Sequence, residues 1–133
     1  MTAWGNGIVK IGSVYTAGGD YEAVAQTHIK QIYAFGDSTV LFKPTLASAD
    51  QFRGSFGEAM SFFAGGEVPE DGGFAIAPDT KVRLENEGTL VNGEMAMAMC
   101  NYFSPKTDGS EAKVEYTFGG ERMNDGSAKF ILH

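Results

Sequence analysis

Apolar residues along the first third of the chain recur at helical spacing. Trp4, Ile8, Ile11 and Tyr15 stand at steps of 4, 3 and 4, which lays one stripe along a helix face. Ala17-Gly18-Gly19 ends that run, because glycine takes the left-handed conformation a helix terminus favours. Asp20 reads as the N-cap of a second helix, with Glu22 near the positive end of its dipole. Val24, His28, Ile32 and Phe35 carry this helix as far as Gly36-Asp37. Val40-Leu41-Phe42 predicts a short strand closed by Pro44. Ser55-Phe56-Gly57-Glu58 has the capping-box pattern, and predicts a third helix through Met60, Phe62 and Phe63 to Gly65-Gly66.

After Glu67 the period becomes two. Val82 and Leu84 alternate with Lys81, Arg83 and Glu85, a half-solvated strand. Asn92-Gly93 is a strong hairpin signal and joins it to a strand over Met95–Phe103. Turns at Lys106-Thr107-Asp108-Gly109 and Asn124-Asp125-Gly126 lead to strands over Lys113–Phe118 and Lys129–His133. Helices followed by an antiparallel meander predict an α+β fold, one domain over 1–133. A curved sheet wrapped around the N-terminal helices makes a cone, whose apolar mouth suits a small-molecule pocket.

Charge and composition narrow the function. Ten Lys plus Arg against 17 Asp plus Glu leave a formal charge of −7, which disfavours a nucleic-acid partner. No apolar run approaches the roughly 18–20 residues a membrane span needs, and no export signal opens the chain, so a soluble protein is expected. One cysteine, Cys100, excludes an internal disulfide. Two histidines, His28 and His133, and that cysteine cannot supply a three-His or Cys-His-Cys zinc site, so no metal is expected.

Several side chains could carry chemistry. His28 lies on the apolar face of the second helix, where a backbone carbonyl would satisfy it; His133 ends the last strand and could point into the cone mouth. In the run Met95–Phe103, Ala96, Ala98, Cys100 and Tyr102 share one face and Met97, Met99 and Asn101 the other. Cys100 then reads as a small packed residue, the methionines as core or dimer interface, and Asn101 as an amide in want of a partner or ligand. Arg53 could bind an anion at the mouth or pair with an acid. None of the paired glycines has phosphate-loop spacing.

Seven segments, in order, extend this reading. Val40-Leu41-Phe42-Lys43-Pro44-Thr45, Asp50-Gln51-Phe52-Arg53, Phe62-Phe63-Ala64-Gly65-Gly66 and Gly73-Phe74-Ala75-Ile76 resemble the iota class of carbonic anhydrases, and so do Lys81–Asn86, Asn101-Tyr102-Phe103 and Lys113–Gly119. The resemblance implies the fold of nuclear transport factor 2 and of the calcium/calmodulin-dependent kinase II association domain. It also implies a homodimer, no cofactor, and CO2 and bicarbonate as the molecules handled without a metal. The family's pocket uses a threonine, a tyrosine and a serine. Thr45 stands at the place of the threonine, whereas Phe62 stands where the phenol is expected. The serine belongs to a His-His-Ser-Ser ending, of which His133 matches the first residue.

The resulting expectation is reversible CO2 hydration with Thr45 as the catalytic hydroxyl. Asn101 and Arg53 would contribute donors, Phe62, Tyr116 and Phe118 would wall the site, and His133 would face it. A phenol restored by Phe62→Tyr would raise the rate. The alternative is a non-catalytic dimeric binding or association module; a hydrolase or isomerase relying on Glu115 comes last. The compartment expected is the cytoplasm of a bacterium, or a plastid if the chain is a domain of an algal protein.

Overall fold

The computed structural model describes residues 2–77, 82–105 and 108–133. Three helices come first: α1 (Thr2–Thr16), α2 (Tyr21–Ile32) and α3 (Phe56–Ala64). A 3-10 turn at Phe74–Ile76 follows, then four strands: β1 (Arg83–Asn92), β2 (Met95–Pro105), β3 (Glu111–Arg122) and β4 (Ala128–Leu132). They form one antiparallel meander in the order β1-β2-β3-β4. No described helix is long and apolar enough to cross a membrane. Lys81, and Lys106 and Thr107 of the expected turn, lie outside the described residues.

The helix signals act as expected at their starts. The Asp20 side chain accepts from the Ala23 amide, and Ser55 and Glu58 close a reciprocal capping box. Trp4, Ile8 and Ile11 of the α1 stripe are buried, but Tyr15 is exposed at the helix end. The α2 stripe is displaced. Ala25, His28 and Ile29 are buried, and Tyr33 follows as the C-cap in extended conformation, so the helix stops short of Phe35. Its most buried row is Ala25-Ile29-Tyr33, beside the Val24-His28-Ile32 row, of which His28 is also buried and lies over Gly7 of α1. A Cβ on Gly7 would sit 2.0 Å from His28 Cε1.

The first hairpin differs by one residue from its signal. Asn92 pairs with Met95, so the loop is Gly93-Glu94, and Gly93 supplies the positive φ of 60°. Along β2 the expected alternation holds: Ala98, Cys100 and Tyr102 are buried, and Met97 and Met99 are exposed. The core lies between the helices and the inner sheet face. Trp4, Tyr33, Phe42, Phe63, Tyr102, Tyr116 and Phe118 fill it.

The far edge of the sheet positions the site. Pairing of β4 to β3 shifts between Gly119 and Gly120, and its last pair is Gly119 with Leu132. The other edge of β4 is held by the segment after α2. The Ala34 amide donates to the Phe130 carbonyl, Leu41 to Ile131 and Lys43 to His133, while the His133 amide donates to Leu41. Segment 33–43 therefore runs parallel to β4, bridged at Tyr33–Phe130 and Leu41–Leu132. Beside Tyr116 and Thr117, β3 is left without a β4 neighbour, and a cavity opens there.

Candidate functional site

That cavity, of about 590 Å³, is lined by Thr45, Asn101, Tyr116 and His133, with Lys43, Lys113, Glu87 and Glu115 among the charged residues around it. Thr45 follows the turn-forming Pro44 and is solvent-exposed. Its hydroxyl donates to the Glu115 backbone carbonyl at 3.0 Å. The proton is thereby committed, and the free lone pairs of Oγ1 can accept from a bound water. Tyr116 is buried on the inner face of β3; burial and its Cys100 neighbour push its phenol up, so it remains protonated across the physiological range. Asn101 is half-buried, on the strand face it shares with Met99.

His133 is enclosed by aromatic rings at this site. Its ring stacks on Phe42 (centroids 4.8 Å apart) and packs against Phe118 (4.4 Å), Trp4 (5.8 Å) and Tyr33 (5.9 Å). Desolvation by these rings lowers its pKa to about 3, so it is uncharged at neutral pH. Nδ1 lies 2.6 Å from the Tyr33 hydroxyl, which also accepts from Trp4 Nε1 at 3.1 Å. Phe118, 2% exposed, forms the floor beneath His133 rather than the cavity wall.

The other expected residues lie elsewhere. Phe62 is half-buried and lines a second cavity of about 350 Å³ with Leu46, Ala47, Asp71, Gly73 and Phe74. It does not line the first site and is joined to it through other rings, among them Phe42, which it meets edge-on at 5.8 Å. Arg53 is 0% exposed and does not line the Thr45 cavity. Its guanidinium grips Asp71 at 2.6 and 3.0 Å and Glu70 at 3.4 Å, and also donates to the carbonyls of Asp50 and Glu58. All five N–H groups are engaged, so the pairing reading of Arg53 replaces the anion-binding one. His28 sits buried against Gly7; burial lowers its pKa against the Trp4 backbone bond, and its Nε2 has no partner among the described residues.

Sequence reasoning did not place a phenol against His133. Tyr33 is wholly buried and touches His133, and the signal for it was the Ala25-Ile29-Tyr33 spacing at i, i+4. Trp4 was visible as a core residue, but not as the hydrogen-bond donor to that phenol. Among the described residues, no group of three His, Cys, Asp or Glu side chains converges as a metal site would require.

Thr45, Tyr116 and the uncharged His133 thus line one water-accessible cavity walled by aromatic rings, an arrangement able to hold a small neutral molecule and its oxyanion by hydrogen bonds. Known proteins share both the sequence and the architecture. The chain is 33% identical to a metal-independent carbonic anhydrase of Nostoc sp., over 98% of its own length and 66% of that protein's. It superposes on an iota-carbonic anhydrase from a cyanobacterium, solved in complex with bicarbonate, with a TM-score of 0.92 at 32% identity. That match covers 99% of this chain and 84% of the other. A putative calcium/calmodulin-dependent protein kinase II association domain from Xanthomonas campestris has a TM-score of 0.52 at 12% identity, covering 98% of this chain and 76% of that one, a likeness of fold alone. The profile of the metal-independent carbonic anhydrases matches residues 1–133 throughout, and the chain belongs to that family.

Proposed function

We propose that this chain catalyses the reversible hydration of CO2 to bicarbonate in the cavity bounded by Thr45, Tyr116 and His133, using hydrogen-bonded side chains. The observation that carries the reading is the Thr45 hydroxyl, whose proton is held by the Glu115 carbonyl at the wall of the cavity, which leaves its oxygen lone pairs free to accept. A water molecule donating one proton to Oγ1 has its oxygen lone pair turned toward the cavity. As that lone pair attacks the carbon of CO2, one C=O electron pair moves onto oxygen and the attacking water becomes acidic. It loses its proton to solvent, which the open cavity admits. Tyr116 and the aromatic wall behind His133 exclude bulk water from the other side of the CO2 molecule.

The working form is a homodimer. Leu90, Met95, Met97 and Met99 are each at least 43% exposed on paired positions of β1 and β2, an apolar sheet face that a second copy would cover. Light scattering at micromolar concentration is expected to give twice the chain mass; a single-chain particle would remove the dimer.

Stopped-flow CO2 hydration with a pH indicator, in the presence of chelator, tests the activity. Wild-type chain is expected to exceed the buffer rate. Thr45→Val keeps the volume and removes the hydroxyl, and is expected to lose at least about 10²-fold, the scale of one positioned acid–base group. If wild type matches buffer alone, the chain is a binding module of the same fold instead.

A further inference from the structure

We infer that Tyr33 is a positioning residue that sets the tautomer of His133, presenting its Nε2–H to the cavity as a fixed donor for an oxygen of CO2 or bicarbonate. This rests on the site proposed above. The direction of the relay follows from one donor-only group. Trp4 Nε1 can donate but not accept, so the Tyr33 oxygen 3.1 Å away is its acceptor. The Tyr33 hydroxyl proton must then go elsewhere, and Tyr33 is wholly buried. His133 Nδ1 lies 2.6 Å from that hydroxyl. Reversing the bond would leave a buried phenol proton without an acceptor. Nδ1 is therefore an acceptor, and in an uncharged imidazole the ring proton is on Nε2.

Nε2 is the end of the relay that remains open. It makes no bond within the described residues, yet it is not among the buried unpartnered atoms, of which His28 Nε2 is the one found. His133 lines the cavity together with Thr45. Its ring cannot swing away, being stacked on Phe42 at 22° and held edge-on by Trp4 at 88°. Hydration moves an electron pair onto a CO2 oxygen, so a donor fixed at that point binds the transition state more strongly than CO2 itself. A neutral donor also lets bicarbonate leave more readily than an imidazolium would.

The test is nitrogen-15 histidine labelling of the full chain, with long-range proton–nitrogen correlation at neutral pH. His28 and His133 are the two histidines of this sequence, and His28→Asn assigns them. The expected His133 signature is a pyrrole-type Nε2 and a pyridine-type Nδ1, with Nε2 moving on titration with bicarbonate. Tyr33→Phe is expected to mix the tautomers and to lower kcat by about tenfold or more while KM changes by less than about threefold, the pattern of a donor used in the transition state. An Nδ1–H form in the wild-type chain, or an Nε2 indifferent to bicarbonate, overturns the inference even if hydration is fast. So does a folded Tyr33→Phe with wild-type kcat. Should Tyr33→Phe not fold, the wild-type spectrum decides by itself. A chain that hydrates no CO2, yet shows the expected signature and bicarbonate response, sinks the catalytic reading and leaves this assignment standing.

Discussion

Two polar clusters are buried in this small molecule, and they are built on opposite principles. Around Arg53 every group is charged or bonded to a charge: Asp71 takes two guanidinium contacts and the Ser61 hydroxyl, and Glu70 accepts from the amides of Ser48, Ala49 and Asp50. Trp4, Tyr33 and His133 form the other cluster, neutral throughout and directed one way. The first is closed, with no donor of Arg53 left over. The second ends on an atom that opens into a cavity. A saturated network can only hold structure, and here it ties the loop that follows Thr45 to α3 and to the 68–71 turn. A relay with a free end can act on something outside itself.

Breaking the closed cluster is expected to have the largest effect. Asp71→Ala leaves a buried guanidinium with Glu70 as its remaining carboxylate and is expected to cost about 3 kcal/mol in a denaturant melt. Replacing Arg53 and Asp71 together by apolar residues of similar volume is expected to recover most of that loss. Thr45→Val, next in size, acts on rate alone. Its ~10²-fold loss corresponds to about 2.7 kcal/mol of barrier, while the exposed position leaves the melting curve within about 0.5 kcal/mol. Tyr33→Phe falls between the two kinds. It orphans the Trp4 indole N–H, at about 1–3 kcal/mol of stability, and also slows turnover.

Acid separates the clusters by pH. His133 has its pKa lowered from 6.5 to about 3, so the unfolded chain binds a proton that the folded chain refuses. Its contribution is complete above pH 6.5 and is lost progressively as pH falls toward 3. His28 is shifted in the same direction by its burial. Glu70, held down to about 2 from 4.5 by the three loop amides, contributes fully above 4.5 and is lost as pH falls toward 2. Melts at stepped pH are therefore expected to show the aromatic cluster weakening first. His133→Gln should flatten the upper window and Glu70→Gln the lower one; identical profiles for the two variants would contradict the assignment.

The smallest effect is expected at Phe62. Its ring lines the second cavity, so Phe62→Tyr is expected to change CO2 hydration less than about threefold, well short of a positioned acid–base group. A rise of tenfold or more would relocate the substrate to the Phe62 cavity and restore the role that the resemblance implied for a phenol there.

Local signals in the sequence were enough wherever the physics is local. Asp20 and Ser55 cap helices because their side chains reach amides three residues on, and Gly93 turns a hairpin because it tolerates positive φ. The alternation of Met97 and Met99 with Ala98 and Cys100 sorted a strand into two faces before any partner was known. The family was legible in segments spread along the whole chain. What the sequence left open depended on groups far apart along the chain. Whether Arg53 meets an anion or an acid was decided by Asp71, 18 residues away in a loop with no regular period. Whether His133 frays or faces a site was decided by Tyr33, 100 residues upstream, and by the register shift that takes β4 away from β3. Hydrophobic periodicity records which side of an element is buried, but not which buried polar group meets which. That pairing is set by the packing of α1, segment 33–43 and β4 against one another, and it exists only in the folded chain.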